Sequence, residues 1–164
     1  MIKNILISLF LFTQVLLADA ATIELQARES ATLSEGPIKV IVNLEKLESV
    51  THCPSASSWR WGSEQACPSS RIASLEISFR NKSVFIPYST FADLGNPVSL
   101  EIEQDNKGIT YSVKIAGGDA ATSYKATIKF KSDLLLEKIV RHGEFPDSAW
   151  EKRYYKFNLT ESHE

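Results

Sequence analysis

From Ile23 to Phe130, apolar and polar residues change places at every second position, in run after run. Ile23, Leu25 and Ala27 lie on one side, with Glu24, Gln26 and Arg28 on the other. Ile38, Val40, Val42 and Leu44 repeat the pattern, as do Leu75, Ile77 and Phe79, then Val98, Leu100 and Ile102. The longest matched runs are Ile109, Tyr111, Val113, Ile115 and Tyr124, Ala126, Ile128, Phe130, backed by polar residues such as Lys114 and Thr127. Successive side chains alternate faces only in extended backbone, so these runs read as half-buried antiparallel strands with one wet face. A helix would need its apolar residues three and four apart.

Turn chemistry falls between the runs. Arg80-Asn81-Lys82-Ser83 and Asp105-Asn106-Lys107-Gly108 read as tight hairpin connections, and Gly117-Gly118-Asp119 opens a wider loop. The expected fold is all-β, a single antiparallel β-sandwich or small barrel of about eight or nine strands. Periodicity does not choose between the two. Short helical turns are expected over Ser89–Pro97 and over Asp147–Glu151, where Ser148 and Glu151 have capping-box spacing. Tyr155, Phe157 and Leu159 alternate as a last strand.

Residues 1–20 carry a different message. Lys3, the apolar run Ile5 to Leu17 and Ala18-Asp19-Ala20 have the layout of a cleavable secretory signal peptide. The expected organisation is a signal peptide over 1–20, a β-sandwich domain over 21–160 and a frayed tail over 161–164. Lys3 and Asp19 cancel, so the exported part keeps the net charge of −2 of the whole chain. That balance lacks the basic footprint of a nucleic-acid binder. No later apolar stretch reaches membrane-spanning length, so no membrane span is expected in the mature chain. The expected location is the periplasm if the source is bacterial, and otherwise outside the cell.

The two cysteines, Cys53 and Cys67, both follow the leader. In an oxidising compartment such a pair is expected to bond, and closing a loop of about 15 residues restricts the unfolded chain by roughly 3 kcal/mol. The surrounding stretch, Thr51 to Ser70, is rich in Ser and lacks any period. Loops beyond about 12–15 residues usually need a functional reason. Inside it lie Trp59, Arg60 and Trp61, residue types that concentrate binding energy at interfaces. They are the candidate contact residues; the competing reading folds the indoles back as a lid on the core.

Lys114, Lys125, Lys129, Lys131 and Lys138 are expected on the wet faces of neighbouring strands, as a weakly basic surface or a solvated strand face. The histidines His52, His142 and His163 have no metal-ligand spacing, and the loop acids show no Asp-x-Asp pattern, so no metal is expected. No nucleophile elbow, Ser-x-x-Lys motif or glycine-rich phosphate loop occurs, so neither an enzyme nor a cofactor is expected.

The reading that results is an exported, monomeric, non-enzymatic binding module. Its partner is a protein or glycan of the envelope or extracellular space, met through the disulfide-closed aromatic loop 53–67, with inhibition of a secreted hydrolase as one version. Two alternatives are a carrier of a small apolar ligand held in the sandwich or barrel interior, and an assembly protein that pairs through an edge strand.

Overall fold

The computed structural model describes residues 20–47, 61–63, 67–147 and 149–157. The leader before residue 20, Cys53, Trp59, Arg60, Ser148 and the chain from 158 onward lie outside the described residues. Among those described, ten strands form two antiparallel sheets in a sandwich-like arrangement. One sheet has six strands, in the order β1 (Ala21–Glu24), β6 (Pro97–Gln104), β7 (Tyr111–Gly117), β8 (Tyr124–Lys131), β9 (Leu134–His142) and β10 (Ala149–Tyr154). The other has four, β2 (Ser30–Glu35), β3 (Ile38–Lys46), β4 (Ser70–Phe79) and β5 (Lys82–Val84).

The hairpins follow their turn residues. Arg80 and Asn81 both take positive φ, 49° and 65°, the geometry of a two-residue hairpin turn whose twist suits the flanking strands. At the β6–β7 turn the Asp105 carboxylate accepts hydrogen bonds from the Ile109 amide at 2.8 Å and the Thr110 hydroxyl at 2.6 Å. The Thr110 bond, then the Ile109 bond, holds the Asp105 carboxyl below its ordinary pKa.

The core is legible as rows of cross-strand partners. Ile23, Leu100, Ile115, Ala126 and Val140 sit opposite one another along the six-stranded sheet, and Ile102, Val113 and Ile128 form the next row. Apart from the half-buried Ile23, all are nearly inaccessible to water, and they pack against Val40, Val42, Ile72 and Ile77 of the other sheet. Burying each such side chain contributes about 1.5–3 kcal/mol before the entropy of ordering is counted.

Three expectations are corrected. Within the stretch expected as a helical turn, Ala149 to Tyr154 is instead the strand β10, paired to β9, and Ser148 lies outside the described residues. A capping box contributes about 1 kcal/mol locally, and a full antiparallel ladder outweighs it. The expected last strand over 155–159 therefore arrives earlier, and Tyr155 to Phe157 carry no regular structure. The short helical turn expected over Ser89–Pro97 needs no such correction: a 3-10 turn is present at Tyr88–Thr90.

The third correction concerns Lys138. It is expected on the wet face and is instead 0% exposed. The cause is a β-bulge: Phe130 faces Leu135 while Lys129 faces Glu137, so Leu136 is the extra residue. One added residue inverts the parity of the rest of β9. Lys138 consequently lies opposite Ile128, on the inner face.

Candidate functional site: a charged, aromatic-roofed inner face

Followed outward across the six-stranded sheet, both core rows turn from apolar to charged. The row Ile102, Val113, Ile128 continues into Lys138 of β9 and Arg153 of β10. The neighbouring row ends in Val140 and Glu151. These charged groups are covered by the connection between β5 and β6, which lies across β9 and β10 on polar bonds. Lys138 Nζ donates to Asp93 Oδ1 at 2.6 Å, and Arg153 donates to the Ser89 carbonyl at 2.8 Å. The Thr90 and Tyr155 hydroxyls meet at 2.9 Å.

Glu151 is the second carboxylate of the cluster. Its Oε1 lies 3.6 Å from Lys138 Nζ and 3.0 Å from Arg153, yet accepts no aligned hydrogen bond. Its Oε2 accepts from the Trp61 indole N–H at 3.4 Å. Lys138 and Arg153 balance Asp93 and Glu151, so the cluster is neutral as a whole. That is the condition under which buried charge is tolerated.

Trp61 forms the roof. It adds a parallel bridge to Leu94, and its backbone binds the Asp93 carbonyl at 3.3 Å and the Gly95 amide at 2.9 Å. Its ring packs on the core and stacks on Trp150, with centroids 5.1 Å apart and planes 12° from parallel. Trp150 is the extra residue of a second bulge, since Ala149 faces Arg141 while Glu151 faces Val140. Bulges re-aim side chains beside functional sites, and this one frees the Trp150 ring from the alternation of β10. His142 meets Trp150 edge-on at 4.8 Å and Phe145 at 5.0 Å. Trp150 remains 40% exposed and Phe145 69%.

Beneath the roof, Tyr124 is wholly buried and its hydroxyl has no hydrogen-bond partner. Burial, and then the charge of Asp93, push its pKa far above the ordinary phenol value. Room for its ring comes from two glycines: a Cβ at Gly62, where φ is +87°, would meet the Tyr124 ring, and one at Gly117 its hydroxyl. Asn96 ties the strand-like piece at 61–63 to the frame. Its side chain accepts from the Ser69 amide at 2.8 Å and donates to the Gly62 carbonyl at 2.8 Å.

At the same end lies a cleft of about 680 Å³ between the β1–β2 turn, the end of β3 and the Gly118–Asp119 loop. Its lining is mixed, with Leu25, Leu44 and Leu47 beside Arg28, Lys46 and Asp119. It is an end cleft, and the apolar rows of the two sheets pack together as one core cluster.

Of the expected contact residues, Trp61 joins this aromatic cluster, while Trp59 and Arg60 lie outside the described residues. Cys67 is described, and no free cysteine occurs among the described residues; Cys53 lies outside them. The expected basic face is broken up by acids. Lys114 pairs with Glu103 at 2.8 Å and Glu101 at 3.5 Å, and Lys129 with Glu137 at 2.8 Å. Burial alone would lower the Lys114 pKa, but the carboxylates of Glu103 and Glu101 outweigh it and hold the value above normal. Lys125 and Lys131 stand exposed.

Sequence reasoning weighed Asp93 only as a loop acid and Glu151 only as a capping-box position, and passed over Trp150 and Phe145. Only Trp150 carried a signal, as a lone indole near the chain end. Among the described residues, no three His, Cys, Asp or Glu side chains converge as a metal ion requires, and no helix is long and apolar enough to cross a membrane. The chain matches no family model, no curated protein and no solved structure.

Proposed function

We propose that this chain is an exported, non-enzymatic binding module whose contact surface is the aromatic end formed by Trp61, Trp150 and Phe145. Export by cleavage after Ala20 and a Cys53–Cys67 bond belong to the same proposal. The bond would hold Trp59 and Arg60 beside the surface that Trp61 begins.

One observation carries the reading. A Trp and a Phe stay substantially exposed although they are braced from behind, Trp150 by Trp61 and Phe145 by His142. Preorganised aromatic rings of this kind are ordered at little entropic cost when a partner arrives.

The partner the chemistry favours is a protein surface. A sugar needs free hydrogen-bonding groups beside the stacking ring, and two of those nearby are already engaged. His142 Nδ1 accepts from the Glu144 and Phe145 amides at 3.0 and 3.2 Å, and Glu151 Oε2 from Trp61. Replacing Phe145 and Trp150 together by Ser should abolish capture of the partner from envelope extract and leave the melting temperature nearly unchanged. Retained capture would overturn the reading, as would collapse of the fold, which would make the rings part of the core.

A further inference from the structure

The buried cluster poses a chemical question that the binding reading does not use. A primary amine with no exposure is in hydrogen-bond contact with a carboxylate, and a second carboxylate oxygen without an aligned hydrogen bond lies 3.6 Å from the same amine. We propose that Lys138 and Asp93 condense to an intramolecular amide, with Glu151 carrying the proton.

Every part of the step is within the cluster. Glu151 Oε1 takes a proton from the Lys138 ammonium, which frees the nitrogen lone pair. Nζ adds to Asp93 Cγ, and a C–N bond forms. The C–O bond to one Asp93 oxygen then breaks. That oxygen leaves as water with the two protons the nitrogen has lost, one of them delivered by Glu151. Glu151 ends as the carboxylate it began as, and no oxidant, reductant or activating group is consumed.

Three features of the site favour this outcome. Water has little access to the reacting groups, because Lys138 is fully enclosed and the Asp93 and Glu151 side chains are only 14% and 11% exposed. The attacking and accepting groups are held in contact by the β9 ladder on one side and the Asp93–Trp61 and Gly95–Trp61 backbone bonds on the other. Condensation also removes one cation and one anion from a costly place and leaves Glu151 with Arg153 as a balanced pair. The product would staple the connection between the sheets to β9.

The test is the mass of the purified, exported wild-type protein after reduction, followed by peptide mapping. The expected result is a chain one water lighter than its mature sequence, with a branched peptide joining the segments that hold Asp93 and Lys138. Glu151→Gln, which keeps the side-chain size, should restore the full mass. Asp93→Ala should restore it too, and serves if the Gln variant fails to fold. A wild-type chain at full mass overturns the proposal. So does a lost water that maps to a cyclised Asp or Asn without a branched peptide. A Glu151→Gln protein that still cross-links overturns the role given to Glu151.

Discussion

The rows Leu100–Ile115–Ala126 and Lys138–Arg153 belong to the same inner face of the same sheet, yet they are built on opposite principles. Toward β6, β7 and β8 the face is apolar except for the Tyr111 and Tyr124 hydroxyls, and it meets the second sheet. Toward β9 and β10 it carries Lys138, Glu151 and Arg153, and a single connection covers it through Asp93, Thr90 and Ser89. The apolar half gains stability from area and tolerates exchange among residues of similar volume. The charged half gains specificity: each group has a stated partner, so the connection can lie down in one way only. A recognition surface needs its rings held in one place, and Trp61, Trp150 and Phe145 sit above the half that supplies this.

Substitutions can break the comparison, beginning with the largest effect. Lys138→Ala should destabilise the fold by about 3–5 kcal/mol, because it leaves the mostly buried Asp93 and Glu151 carboxylates with one cation. Denaturant unfolding measures it, and a loss no greater than that of a surface lysine would mean the charged half contributes nothing. Ile128→Ala, its neighbour in the same row, should cost about 2–5 kcal/mol through lost burial and the cavity left behind. Neither loss should respond much to added salt, because both side chains are enclosed.

Tyr124→Phe sharpens the contrast, because it removes a buried hydroxyl that has no partner. An unsatisfied buried group costs about 1–3 kcal/mol, so the Phe variant should match or exceed the wild type in stability. Its pH dependence has a definite sign. The folded phenol has a raised pKa, so its contribution is complete below the ordinary tyrosine value of 10.0 and is lost as pH rises above it. Wild-type stability should therefore fall on the alkaline side more steeply than that of Tyr124→Phe.

Asp105→Asn, in the exposed β6–β7 turn, should have the smallest effect. The Asp105 pKa is lowered in the fold, so its contribution is present above the ordinary value of 3.8 and fades as pH falls below it. The Asn variant should show a shallower acid limb in thermal melts, with little change at neutral pH.

The same division explains what the sequence disclosed. The strands of the apolar half were readable because long runs of period-two alternation survive between the register shifts there, and the Arg80-Asn81 and Asp105–Gly108 turns carry their own signatures. The charged half was hidden by two bulges. Leu136 inverts the facing of Lys138, and Trp150 steps out of the β10 register. A bulge leaves no mark in composition, and the break it makes in the alternation does not say which face the next residues take. Asp93 reaches Lys138 across 45 positions, and Trp61 reaches Glu151 across 90, so neither contact has a local signal. β10 was misread because Ser148 and Glu151 look like a cap when the partner strand is not in view.

The most direct test of the aromatic end as a contact surface is site-specific photocrosslinking in the cell that makes the protein. A photoreactive residue at Phe145 should yield one discrete protein adduct. The same residue at Lys125, exposed on the outer face of β8, should yield none. No adduct at Phe145, or equal adducts at both positions, would contradict the account.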